Sequence, residues 1–442
     1  MEIKMSQHFH YNTLLRFTLP SVVMMIVNSI YSIVDGFFVS NFAGKTPFAA
    51  VNLVMPVLMA LSAIGFMIGT GGSALVAKTL GEGKDQKANE IFSMLIYVLA
   101  GTGAVIALAG FLFMPALSRL LGADDTLLAD CILYGRILMA ALPFFMLQNS
   151  FQSFLIVAEH PKMGLYISLA SGILNMFLDY WFVYLLRAGI GGAAVATAIS
   201  QFLGCLIPLC FFIRPKKGKL RLVKLKWDGS ALLKACGNGS SEMLTNLSAS
   251  LVGILYNFRL MEIAAEDGVA AYGVIMYVNF IFLAFFFGYA IACGPVVGYH
   301  YGAGNKEELK SLLRKSLVIT TVVALLMFFL AEMLALPMAK IFVGYDSALC
   351  DMTTTGMRLY SLSFLVCGFN IYGSAYFTGL NDGGTSALIS FLRTLVFQVL
   401  AIILLPMFLD INGIWLAITF AEAATLLVTA ALLLKKRMRY GY

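Results

Sequence analysis

Two carboxylates stand in apolar sequence, where a charge is costly. Asp35 lies in "IVNSIYSIVDGFFVSNFAG", residues 26–44, and Asp179 in "ILNMFLDYWFV". Each has oxygen-bearing neighbours at helical spacing. Tyr31 and Asn28 precede Asp35 by four and seven residues, and Asn175 precedes Asp179 by four, so each set shares a helix face. Thr197 in "GGAAVATAISQ" and the pair Asn149 and Gln152, three apart, add further polar groups, all in the first half. Two carboxylates close together in a buried place do not both carry charge cheaply. A bound proton or Na⁺ relieves that cost, and hard cations take oxygen ligands, which are all that Asp, Asn and Thr side-chain oxygens offer. This set predicts a cation or proton site. The competing reading of Asp35 is a polar contact that only fixes packing.

The elements that position these groups are membrane helices. Of 442 residues, 60% are hydrophobic and 12% charged, and the mean hydropathy is +0.88. Soluble domains carry about twice that share of charge. Twelve apolar segments are long enough to span a bilayer as helices. They fall near 13–40, 48–77, 90–117, 130–156, 162–186, 190–213, 233–260, 269–300, 310–337, 351–378, 385–408 and 412–434. Barrel strands would be shorter and alternate with period two. The longest polar stretch, about Arg214 to Asp228, is too short to bury a core, so an enzyme on a separate soluble domain is excluded. The seven cysteines fall mostly in apolar segments with no CxxC pair, which suits helix packing. The N-terminal stretch has no apolar run ending in a small-residue cleavage site, so no removable signal peptide is expected.

Lys and Arg placement orients the bundle. With both termini inside, about 22 of the 30 basic residues fall on that side, including the linker "RPKKGKLRLVKLK" and the tail "KKRMR". About five fall outside, among them Lys45 and Arg187. The expected place is the cytoplasmic membrane, multi-pass, with both termini cytoplasmic. The net charge of +7 then reflects topology and contact with anionic lipid, with no role in nucleic-acid binding.

The two halves repeat. "FAAVNLVMPV" aligns with "VAAYGVIMYV" and "LGEGKDQKANEIF" with "YGAGNKEELKSLL", both without gaps. An even number of spans per half makes this a parallel repeat, with six helices in each lobe about a pseudo-two-fold along the membrane normal. The expected division is 1–213 for the first lobe, 214–232 for a basic cytoplasmic linker and 233–442 for the second lobe. The "LGEGKD" loop lacks the spacing and preceding strand of a phosphate loop; its glycines fit helix caps. The second half does not repeat the acids: Tyr256 stands opposite Asp35 and Ala401 opposite Asp179. It has its own intramembrane charges, Arg393 and Glu422, expected to pair for structure or for function. Glu242 is expected near the membrane interface, in reach of water.

These residues resemble the MATE (multidrug and toxic compound extrusion) transporter family, bacterial type, in the branch with acids in the first lobe. The resemblance rests on twelve helices in two lobes, the paired glycine loops, Pro20 with Asn28, Tyr31 and Asp35, and Asn175-x3-Asp179 followed by Thr197. It implies a secondary antiporter that exports organic, often cationic and aromatic, compounds by alternating access in exchange for Na⁺ or H⁺. By resemblance, Asp35, Asn175, Asp179 and Thr197 form the coupling site with Tyr31 adjacent, and Na⁺ is the one metal ion expected there. Pro20 permits helix 1 to bend. Asn28, Tyr31, Asn149 and Gln152 line the substrate cavity. The expected partners are small-molecule drugs or toxic organic compounds and membrane lipids, the expected state a monomer, and no cofactor or ATP is implied. The 35 Phe, 19 Tyr and 23 Met suit promiscuous aromatic binding, and serve ordinary packing equally. One alternative is a lipid-linked saccharide flippase of the same superfamily, against which the acidic first lobe argues. A remote one is an intramembrane enzyme, for which His8, His10, His160 and His300 all lie near ends or loops.

Overall fold

In lipid every backbone polar group must be satisfied within its own segment, and this chain meets that demand with helices. The computed structural model describes residues 3–213 and 220–442; residues 214–219 of the basic linker and the Ser32 and Lys45 side chains lie outside what is described. No strand occurs among the described residues. The first six helices are α1 (Tyr11–Phe38), α2 (Lys45–Gly81), α3 (Asp85–Leu120), α4 (Asp125–Val157), α5 (Pro161–Asp179) and α6 (Gly189–Ile213). A 74-residue helical run, Gly229–Gly302, folds back at Ala264 and Ala265, where φ and ψ leave the helical region, giving α7 (229–263) and α8 (266–302). Next come α9 (Lys306–Val343) and α10, built of Ser347–Ser361 and Phe364–Gly379. α11 runs from Gly383–Phe391 through a π-helical turn, Leu392–Val396, into Phe397–Leu404. α12 (Pro406–Tyr440) turns at Asp410. Two more π-helical turns, Val39–Ala43 and Tyr180–Leu185, extend α1 and α5.

The backbone itself repeats. Positive φ occurs at Gly44 and Ala265, at Gly83 and Gly304, and at Gly189 and Asp410, each pair 221 residues apart, and at Glu159 and Asn381, 222 apart. The two glycine loops close alike. Lys84 N donates to Thr79 O at 3.1 Å and Asn305 N to His300 O at 3.0 Å, the long bond of a glycine-terminated helix cap. Asp and Asn start the helices that follow loops. Asp124, Asp228, Asn305, Asp346 and Asp382 each accept from backbone N–H groups of the next turn.

α1–α6 pack into one bundle and α7–α12 into a second, and α1 and α2 join them by packing on α7 and α8. Glycine sets how near they come. A Cβ on Gly71 would stand 2.1 Å from Ala235 O, one on Gly239 1.9 Å from Met67 O, and one on Gly302 2.0 Å from Lys78 O. No side chain fits there, so this seam brings backbone against backbone.

The seam ends at one face, which also carries both described chain ends. The N-terminal segment crosses it as a strap. Met5 N donates to Glu159 Oε1 of the first bundle at 2.6 Å, while Phe9 N donates to Glu308 Oε1 of the second at 2.9 Å. Lys315 Nζ donates to Phe9 O at 2.5 Å, His8 pairs with Glu308, and the Phe9 side chain is fully buried. At the other end of the chain, Lys436 Nζ and Tyr440 Oη donate to Asp382 Oδ2 at 2.6 and 2.8 Å. The described part of the linker lies along α3, with Arg221 N on Asn89 Oδ1 and Val223 N on Ser93 Oγ. We call this the basic face.

Candidate functional site

The first bundle brings its two acids together. Asp35 sits near the end of α1 and Asp179 is the last residue of α5, and each is followed by a π-helical turn. Such turns reset helix register and are frequent at functional sites. The two turns pack on each other through Phe42 and Tyr184, with ring centroids 5.1 Å apart. This contact, and the packing of α1 on α5, sets the Asp35 and Asp179 carboxyls side by side. Asp179 is fully buried. Asp35 Oδ1 and both Asp179 oxygens are buried with no hydrogen-bond partner of ordinary geometry. Asn175, one turn before Asp179, is also buried, and its Nδ2 has no partner.

Buried polar groups are almost always paired, so four such atoms on adjoining residues mark a site of unused bonding capacity. Three are carboxylate oxygens. What they lack is a positive charge or a proton.

Tyr31 lies beside this set, and its hydroxyl donates to Asn28 Oδ1 at 2.9 Å. Its ring reaches α5 because residue 172 is glycine: a Cβ there would stand 2.6 Å from Tyr31 Cδ1. Gly172, Asn175 and Asp179 share one helix face, so the sequence did carry that signal. Tyr134 of α4 carried none. It is buried within electrostatic reach of both acids and is the site neighbour that sequence reading missed. Thr197 is on α6, which packs on α5; among the described residues no hydrogen bond joins it to either acid. Gln152 ties α4 to α5 through Nε2 to Ser168 Oγ at 3.1 Å. Asn149 is buried on the same helix, with Nδ2 unpartnered. Pro20 lies inside α1, beside the Ser21 and Val22 backbone that meets Gly288 of α8.

The second bundle treats its charges differently. Arg393, in the π-helical turn of α11, donates from Nε to Glu422 Oε1 at 2.7 Å. Asn370 Nδ2 donates to both the other carboxylate oxygen and the carbonyl of Glu422, each at 2.8 Å, and Thr429 Oγ1 donates to Asn370 Oδ1 at 2.9 Å. This network is closed. Tyr256, at the repeat position of Asp35, stacks on Tyr272 with centroids 4.8 Å apart. Glu242 lies between the bundles, on the face of α7 that leans on α2 along the glycine seam, and its side chain is partly exposed.

A sequence profile described as MatE matches residues 20–181 and 242–404, one stretch in each bundle. The chain belongs to the MatE family. Multidrug export protein MepA of Staphylococcus aureus (strain MRSA252) is 22% identical over 382 residues, covering 85% of this chain and 83% of that protein. Two solved structures share the fold closely. One, described as MATE in complex with MaL6, superposes with a TM-score of 0.92 at 23% identity over 98% of this chain and 97% of the other. The second, described as the outward-facing conformation of a multidrug resistance MATE family transporter of the MOP superfamily, gives 0.90 at 24% identity over 97% and 95%. This MatE member is thus a multi-pass membrane transporter and not an enzyme.

Proposed function

We propose that this MatE protein is a secondary antiporter that exports organic, often cationic and aromatic, compounds from the cytoplasm in exchange for Na⁺ or H⁺. The observation that carries the reading is the Asp35–Asp179 pair, whose buried oxygens have no donor. The name of the staphylococcal relative, a multidrug export protein, supports the substrate class.

Asp35, Asp179, Asn175 and Thr197 hold the coupling ion, with Tyr31 beside them. Binding of one positive charge removes the repulsion between the carboxyls and lets α1 and α5 draw together. α1 also packs on α8, and Pro20 deprives it of one backbone hydrogen bond, so α1 bends with little cost when the site fills. Asn28 and Tyr31 connect this change to the space between the bundles, where Asn149 and Gln152 serve the substrate. The positive-inside asymmetry puts the basic face in the cytoplasm. Closure of the seam at that face gives the outward-facing state. An imposed Na⁺ or H⁺ gradient across vesicles holding the purified protein, with efflux of a fluorescent organic cation as the readout, tests the reading. Efflux that ignores both gradients overturns it.

A further inference from the structure

Away from the ends of the apolar segments stand three arginines, Arg136, Arg358 and Arg393. Arg393 pairs with Glu422 at 2.7 Å, and Arg358 Nε stands 3.7 Å from Glu332 Oε2. Among the described residues no carboxylate pairs with Arg136 of α4. Its Nε donates to Phe111 O of α3 at 3.2 Å, and its Cζ stands 5.2 Å from the centroid of the Phe111 ring. The bond has a cause in the sequence. Phe111 O is the carbonyl that the N–H of residue 115 would take, and residue 115 is proline. Arg136 supplies the missing donor with one of its five N–H groups. Those on Nη1 and Nη2 have no partner among the described residues.

Arg136 opens onto a groove of about 740 Å³ that runs along α4. α3 and α6 flank α4, packing on it from two sides. Leu133 and Ala140 form the floor, and Phe111 of α3 with Ile199 and Phe202 of α6 form the walls. All five are exposed. Arg136 is the one polar side chain in the lining among the described residues. The groove turns away from the acids, since Tyr134, which reaches them, lies on the buried side of α4. The second bundle is met elsewhere, mainly by α1 and α2. The groove therefore faces the bilayer. At 1.5 Å per residue, Arg136 stands about 16 Å past the start of α4, and Phe111 about 14 Å before the end of α3. α4 is about 50 Å long against a hydrocarbon core of about 30 Å, so about 10 Å projects at each end when it is centred. The guanidinium then lies roughly 5 Å below the hydrocarbon edge opposite the basic face, within snorkelling reach of the lipid phosphates.

An apolar channel with one unpaired cation at headgroup level suits an amphiphile with a single negative charge. The arginine fork matches two oxygens of a phosphate, and an organic cation would leave Arg136 unmet. We infer that this groove holds one anionic phospholipid, with its phosphodiester on the Nη groups of Arg136 and an acyl chain along α4 between Phe111 and Phe202. The bound lipid ties α3, α4 and α6 together at the depth where Pro115 interrupts the bonding of α3. The site is separate from the Asp35–Asp179 pair and does not rest on the antiport reading.

The test uses full-length protein in phosphatidylcholine nanodiscs that carry a small share of photoreactive lipid. The probe is phosphatidylglycerol with a diazirine in one acyl chain, compared with phosphatidylcholine bearing the same chain. Crosslinked peptides are mapped by mass spectrometry. Phosphatidylglycerol is expected to label residues 129–144 and 198–202 several-fold more than phosphatidylcholine does. Arg136→Gln, whose amide can still donate to Phe111 O, should bring the two lipids to the same level there. Lys226→Gln on the basic face should leave the preference intact. If Arg136→Gln fails to fold, Ile199→Glu replaces it, setting a negative charge on the groove wall. The inference fails if the two lipids label the wild-type groove equally, as ordinary surrounding lipid would. It fails too if neither labels the groove, as when a second copy covers it, or if the preference survives the change at Arg136. Efflux is not the readout, so each of these results leaves the antiport reading as it stands.

Discussion

Arg393 Nε lies 2.7 Å from Glu422 Oε1, and Asn370 satisfies the rest of that carboxylate, so the second bundle buries a neutral, closed network. The first bundle buries two carboxyls side by side without such a partner. One repeat thus pairs its intramembrane charges with each other, and the other leaves two carboxyls without a cationic partner.

The closed network predicts a stability effect. Removing one member of a buried ion pair leaves the other uncompensated, at a cost of about 3–5 kcal/mol. Arg393→Met and Glu422→Gln singly should each lower the melting temperature of the purified protein markedly. The double variant should recover much of the loss, because the amide oxygen introduced by Glu422→Gln still accepts from Asn370. Equal loss in the double and single variants would contradict the pairing.

The seam predicts a conformational effect. Gly239→Ala puts a methyl 1.9 Å from Met67 O, which backbone cannot accommodate without moving. Hydrogen exchange of residues 67–81 should rise, and export should fall, while Gly273→Ala, where a Cβ meets nothing within 4 Å, leaves both unchanged.

The strap predicts local release. Glu308 accepts from Phe9 N and pairs with His8. Glu308→Ala should free residues 3–10 to proteolysis and unbury Phe9, with little change in exchange deep in either bundle. Unaltered protease resistance would show that Phe9 packing and the bonds to Glu159 and Lys315 hold the strap without Glu308.

The other chain end responds to acid. Burial pushes the Asp382 carboxyl up, but hydrogen bonds from Lys436, Tyr440 and Thr385 outweigh it and hold its pKa below the ordinary value of 3.8. A depressed acid contributes stability that is fully present above the unfolded value and is lost as pH falls through the folded one. Docking of residues 436–442 should therefore be constant from neutral pH down to about 4 and weaken below it. Asp382→Asn should remove that acid dependence, with exchange protection of the C-terminal residues as the readout.

Much of the fold was legible because lipid imposes it. Twelve apolar segments, paired glycine loops and a repeat of 221 residues all recur in the structure as helices, caps and matched positive-φ turns. The acids and Asn175 were legible because polar groups in apolar sequence are conspicuous. Tyr134 was not, since a tyrosine in an apolar segment is unremarkable until the fold places it beside Asp35 and Asp179. The place of Glu242 between the bundles was not, because it depends on how closely Gly71 and Gly239 let two distant helices approach. The π-helical turns that aim both acids leave no mark in hydropathy.

Gradient-driven efflux by reconstituted wild-type, Asp35→Asn and Asp179→Asn protein tests the central claim most directly. The expected result is ion-driven export by wild type and its loss in both variants, with substrate binding retained. Undiminished gradient-driven efflux in both variants would contradict the assignment of the Asp35–Asp179 pair as the coupling site.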